Sequence, residues 1–246
     1  MEEKSKLRSL ILKSAYAIVI VLIIAVVALL ILKYDVEGEK NMPFKLSSII
    51  VASTAEGIQK ENEEYKWDAE IYQNNDIYIN IEKNKNYKET EIIKSITIDN
   101  IQINKEPQVG KIFLYRAKAE ENNLFSNNDD FLIKDSIEYM GDINSDLKNL
   151  KISNQGGTII LRIVNKTGKQ YLSNEDEFSH DGRLLNKVNV NLADIKTTVS
   201  FDLIIKLESD ITFKTNIKLE LPVGDITQEG SASLENSGKD IVFKRE

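Results

Sequence analysis

Residues 199–221, VSFDLIIKLESDITFKTNIKLEL, carry their apolar side chains at odd positions almost throughout. Val199, Phe201, Leu203, Ile205 and Leu207 alternate with Ser200, Asp202 and Lys206. Ile211, Phe213, Ile217, Leu219 and Leu221 then alternate with Thr212, Lys214, Asn216, Lys218 and Glu220. A period of two belongs to a strand with one face buried. Because both apolar rows are odd, they share a face only if paired positions sum to an even number. That requirement predicts an antiparallel hairpin closed by the three residues Glu208, Ser209 and Asp210. Pro222 has no amide to donate and ends the second strand.

Working outward, the same pattern of Ile, Val, Phe and Tyr predicts strands at residues 44–53, 67–73, 77–83, 95–104, 111–117, 158–164 and 188–192, with a short one at 241–244. Asn74-Asn75 and residues 84–86 read as turns. Apolar parity switches between Ile96, Ile98 and Ile101, Ile103. Either a β-bulge at Asp99-Asn100 or two half-strands on different sheets explains this. Residues 120–157 lack strand character, suggest a short helix at 142–151, and offer a place where the domain could subdivide. Residues 224–239 form a Gly/Ser/Glu run. The predicted fold class is all-β: an N-terminal transmembrane helix followed by an immunoglobulin-like antiparallel β-sandwich.

That helix is residues 14–32, SAYAIVIVLIIAVVALLIL. Without a charge and roughly 28 Å long as a helix, it matches the hydrocarbon core of a bilayer. Lys4, Lys6, Arg8 and Lys13 precede it, while Lys33 is followed by Asp35, Glu37 and Glu39. The basic flank predicts a cytosolic segment 1–13, a signal anchor 14–32, a tether 33–42 and an extracytoplasmic domain 43–246. The apolar run exceeds a signal peptide's, and Ala25 and Ala28 have the wrong spacing for a cleavage site, so the anchor is expected to stay uncleaved.

The chain has no cysteine, which excludes disulfides, thiolate nucleophiles and zinc-thiolate sites. Five of its 32 basic and two of its 39 acidic residues lie at or before Lys33, leaving 27 against 37 beyond it. That sign disfavours nucleic acid as a partner. His180, the only histidine, sits among Glu175, Asp176, Glu177 and Asp181 and reads as part of an exposed acidic loop. Asp142, Asn144 and Asp146 have the start of a calcium loop, but Leu147 stands where the turn needs glycine and Ser153 where a bidentate Glu is needed. Residues 154–158, NQGGT, run into a strand and not a helix, so they read as a turn and not a phosphate loop. Trp67, Tyr72, Tyr78 and Tyr115 are the candidates for a sugar-stacking platform, but the parity of Trp67 with Ala69 and Ile71 assigns it to the core. No serine-hydrolase or metallopeptidase motif occurs. No catalytic, cofactor-binding or metal residue is assigned, and no cofactor is expected.

Residues 36–47 (VEGEKNMPFKLS), 74–79 (NNDIYI), 152–157 (ISNQGG) and 199–204 (VSFDLI) are similar to those of an uncharacterised group of single-pass membrane-anchored proteins of clostridia and related low-GC Gram-positive bacteria. The resemblance covers nearly the whole chain. It implies the cell membrane with the domain outward, and brings no activity or site with it. The expected function is a non-catalytic membrane-anchored extracytoplasmic module that binds or scaffolds an envelope protein partner. The alternative is an envelope hydrolase using paired carboxylates.

Overall fold

A computed structural model describes residues 2–117, 127–146, 149–175 and 183–246, with side chains from residue 13 onward. Helix α1 (Glu2–Glu37) is followed by a mostly β domain in two six-stranded sheets. The first sheet holds β1 (Phe44–Gln59), β2 (Trp67–Lys83), β4 (Lys111–Arg116), β5 (Leu132–Ile133), β8 (Gly156–Ser173) and β11 (Ser231–Ser237), in the order β11-β1-β2-β8-β4-β5. The second holds β3 (Ile93–Lys105), β6 (Ile137–Gly141), β7 (Leu150–Ile152), β9 (Thr197–Leu207), β10 (Thr212–Leu221) and β12 (Lys244–Arg245), in the order β12-β10-β9-β3-β6-β7. Every pairing is antiparallel except β6 with β7.

The β9–β10 hairpin follows from its alternation. Phe213 pairs with Ile205 and Ile217 with Phe201, every odd apolar side chain from 199 to 207 is buried, and Asp210 (φ 60°) takes the left-handed position that closes the three-residue loop. In β3 the pairing with β9 slips between Asp99 and Gln102, and Asn100 adopts φ 51°. A bulge therefore keeps Ile96, Ile98 and Ile101 all buried in one sheet.

One apolar core lies between the sheets, drawing Phe44, Ile49, Ile77 and Leu161 from the first and Ile96, Phe201, Phe213 and Phe243 from the second. Strands β1, β2 and β8 are 16 to 18 residues long and outrun the second sheet. Their far ends instead pack Ala55, Ala69 and Ile71 under a cap made of α2 (Leu184–Lys187), a 3-10 turn (Leu192–Ile195) and α3 (Ile226–Glu229), which contribute Leu184, Leu185, Ile195 and Ile226. Between the two apolar clusters the inward positions of all three strands turn polar: Ser53 on β1, Gln73 and Asn75 on β2, Asn165 and Thr167 on β8, each buried. Ser53 Oγ donates to Asn75 Oδ1 at 2.7 Å and accepts from the Val223 amide at 3.0 Å. Asn165 Nδ2 reaches the Val109 carbonyl at 2.9 Å, and Thr167 Oγ1 the Ile71 carbonyl at 2.6 Å.

This belt corrects the sequence reading at Asn74-Asn75, which is not a turn: 67–73 and 77–83 are one strand, in which Asn75 finds buried partners in Ser53 of β1 and the Ile163 carbonyl of β8. Residues 188–192 are not a strand, since Asn189 (φ 57°) breaks the backbone after α2 and the 3-10 turn follows. The described part of 120–157 contains β5, β6, β7 and the start of β8, and the helix expected at 142–151 is a single 3-10 turn at Asp142–Asn144. The run 224–239 holds α3 and the polar edge strand β11, while 241–244 shrinks to the two residues of β12. The tether 33–42 is helical to Glu37. There Gly38 (φ 63°) caps the helix, its amide bonded to the Tyr34 carbonyl at 2.8 Å.

The helix end is held by the domain. Asp35 accepts from Lys244 Nζ at 2.7 Å, the Tyr34 hydroxyl accepts from the Arg245 amide at 2.9 Å, and the Glu39 amide donates to the Phe243 carbonyl at 2.7 Å. A Cβ on Gly38 would lie 2.3 Å from the Phe243 carbonyl oxygen, so only glycine fits.

Candidate functional site

The outer face of the first sheet carries a nearly buried ion pair, a buried asparagine and several aromatic side chains. Even positions of β2 point there, and the register sets them opposite β8 in successive rows: Tyr72 with Lys166, Asn74 with Val164, Asp76 with Arg162, Tyr78 with Ile160. On the other side of β8, Phe113 and Tyr115 of β4 extend the Val164 and Arg162 rows. Residues 127–131 cross above them.

Asp76 and Arg162 form a bidentate pair, Nε to Oδ1 at 2.6 Å and Nη2 to Oδ2 at 2.9 Å, with side chains only 12% and 11% exposed. Arg162 Nη1 also donates to Asn127 Oδ1 at 3.3 Å. Lys166 lies 3.7 Å from Asp129 and 4.7 Å from the centre of the Phe113 ring. Burial alone would lower its pKa, but Tyr115 and Asp129 outweigh that and raise it. The Tyr115 hydroxyl has no hydrogen bond of ordinary geometry, although the Lys166 ammonium is near enough to be stabilised by it. Burial, with help from the Glu70 carboxylate, pushes Tyr72 up to about 12, and burial followed by Asp76 raises Tyr78. Asn74, fully buried in the middle of the face, has neither amide atom hydrogen-bonded. Among the described residues its one donor and one acceptor therefore stay unsatisfied inside the protein.

On the outer face of the second sheet, Asp99 and Asp202 are direct cross-strand partners. Asp202 accepts from Asn216 Nδ2 at 2.8 Å and lies 3.3 Å from Lys214 Nζ. Burial would raise its pKa, but Asn216 and Lys214 outweigh it and hold the carboxyl below its ordinary range.

Of the aromatic platform, Tyr72, Tyr78 and Tyr115 share the first sheet's outer face. Trp67, at an odd position, does not. It is also not core: it is half-buried beside the acidic loop, its indole nitrogen donating to the Glu175 carbonyl at 3.0 Å. His180, Asp176, Glu177 and Asp181 lie outside the described residues. Asp142 and Asn144 sit in an exposed 3-10 turn, and among the described residues no three His, Asp or Glu side chains gather to hold a metal. In 154–158, Asn154 ties the Ile93 carbonyl to the Ile143 amide, and Gly156 (φ 107°) turns the chain into β8. Sequence reasoning passed over Asn74, Asp76, Arg162 and Lys166. Two signals were present: four consecutive polar residues, 73–76, inside a strand, and an arginine inside the apolar run 159–164.

No protein-family model matches the chain, and neither a curated protein nor a solved structure matches it at a significant level.

Proposed function

We propose that this chain is a non-catalytic binding or scaffolding module of the bacterial cell envelope, held by α1 in the membrane with its β domain outside. The observation that carries the reading is the helix itself. Lys13–Glu37 is long and apolar enough to cross a bilayer, and none of its apolar window is buried in the protein. Leaving that many large apolar side chains in water costs far more than a small domain's net stability, so a bilayer is the natural solvent. The helix also runs unbroken into Tyr34 and Asp35, which the domain holds, in favour of an anchor over a cleaved signal. The basic flank before the span supports a cytosolic N-terminus, and the resemblance to the clostridial group supports a Gram-positive envelope.

Binding is favoured over hydrolysis by the charges on the two faces. A general acid must carry a proton near neutral pH, whereas Asp202 is held ionised and Asp76 is locked to Arg162. The sheets then act as an immunoglobulin-like sandwich does, presenting faces and loops to a protein partner. Protease added to intact protoplasts is expected to remove everything after about Tyr34 and leave an N-terminal stub. Full-length protein protected until lysis would reverse the orientation, and a mature species lacking 1–28 would show a cleaved signal. Crosslinking in the native membrane, followed by identification of the captured proteins, identifies the partner.

A further inference from the structure

A cavity of about 370 Å³ opens where α1 meets the domain, between the helix end, the start of β1 and the segment leading into β12. Its depth relative to a bilayer follows from the helix. Glu37, which lines it, lies five residues past Leu32, or roughly 7.5 Å beyond the hydrocarbon edge, which is the outer part of a headgroup layer. Tyr34, an amphipathic ring suited to that layer, is bonded to the Arg245 amide, so the strand bordering the cavity is drawn toward the same level.

The charges of the cavity sort into closed pairs and a remainder. Lys40 pairs with Glu37 at 2.6 Å and Lys45 with Glu82 at 3.0 Å. Two lining groups have no ion-pair partner among the described residues: the ammonium of Lys239 and the carboxylate of Glu39, which accepts only the Asn41 amide at 3.0 Å. The remainder is therefore one cation and one anion beside an apolar floor that includes Met42 and Phe243. The frame is closely packed: a Cβ on Gly238, next to Lys239, would lie 2.1 Å from the Leu46 carbonyl oxygen.

We infer that this cavity binds the headgroup of an amine-bearing zwitterionic phospholipid from the leaflet that the helix crosses, with the lipid phosphate at Lys239 and its ammonium at Glu39. The inference rests on the membrane-anchored reading. A primary ammonium can donate hydrogen bonds to Glu39, whereas a quaternary choline cannot, so the site discriminates between the two neutral headgroups.

The full chain is reconstituted in vesicles of equal phosphatidylethanolamine and phosphatidylcholine, floated, extracted in mild detergent and weighed with its retained lipid by native mass spectrometry. Wild type is expected to retain ethanolamine over choline lipid by about threefold, the worth of one partly exposed charge contact. Glu39→Gln should abolish the preference, Lys239→Glu should lower retention of both lipids, and Lys218→Glu on the far face of the second sheet should change neither. Thermal melts confirm that each variant is folded. Equal retention by wild type, or a preference that survives both cavity substitutions, overturns the inference. In a parallel set of vesicles with phosphatidylglycerol in place of phosphatidylcholine, retention of phosphatidylglycerol equal to that of phosphatidylethanolamine overturns the inference. A protein that does not float at all overturns the anchored reading and this inference with it, whereas flotation without preference overturns this inference alone.

Discussion

The Tyr139 hydroxyl donates to the Ile160 carbonyl at 2.5 Å and accepts from the Ile160 amide at 3.1 Å, one residue past the last β4 pairing at Leu161. A side chain of the second sheet thus continues a backbone ladder of the first. Replacing Tyr139 by Phe strands both backbone groups and should cost about 1–3 kcal/mol at neutral pH. The phenol also sets a pH dependence. Burial pushes Tyr139 up to about 12, opposed by its bond to the Ile160 backbone. Because its folded pKa stands above the ordinary value near 10, its contribution is fully present below about pH 10 and is lost as pH rises toward 12. Denaturant melts at pH 7 and pH 11 should show a shallower alkaline loss in Tyr139→Phe than in wild type, with Tyr72, Tyr78 and Lys166 among the groups that supply the remainder. Arg162→Ala leaves the Asp76 carboxylate, 12% exposed, without its guanidinium. A loss of about 3–5 kcal/mol in the denaturant midpoint is expected. The double variant Asp76→Leu, Arg162→Met should recover most of it, since removing both charges removes the stranded one.

Among the elements, the β9–β10 hairpin shows how far alternation reaches. Phe201 and Phe213 are 0% and 3% exposed, and truncating either to Ala should cost about 3–5 kcal/mol in denaturant melts. Lys214→Ala opens the contacts to Asp202 and Glu246 at a half-exposed surface and should cost at most about 1 kcal/mol. Equal small losses at all three would show that this face is not core. This hairpin was legible because a row of Ile, Leu and Phe has one way to stay dry. In β3 the parity switch was visible but fitted a bulge and two half-strands equally, since only the pairing with β9 separates them. Where the buried side chains are polar that signal inverts: Gln73 to Asp76 have the composition of a turn and the environment of a core. Strand β11, SASLENS, is exposed along an edge and has no apolar row to alternate. The Asp76–Arg162 pair joins positions 86 residues apart, and no local pattern announces it.

At the scale of the molecule, the polar belt makes the domain two apolar bodies joined by hydrogen bonds. Gln73 Nε2 and Asn165 Oδ1 lack partners among the described residues, so the belt is not fully satisfied. The cap beyond it is built from four-residue helices and turns, whereas β9 lies between two hydrogen-bonded neighbours. Native-state hydrogen exchange should find the amides of 184–195 opening at lower free energy than those of 201–207. Protection of the two segments at the same free energy would mean that the belt couples the bodies fully.

The contacts of Tyr34 and Asp35 with Arg245 and Lys244 also set a timetable for biogenesis. The helix leaves the ribosome first, yet the residues that seat its outer end are some 210 positions later, roughly 10 to 40 s of synthesis. Through that interval β1 also lacks its neighbour β11, so one of its edges stays open. The nascent domain therefore stays half-zipped through that interval, with an open strand edge exposed to wrong pairings until the last residues arrive.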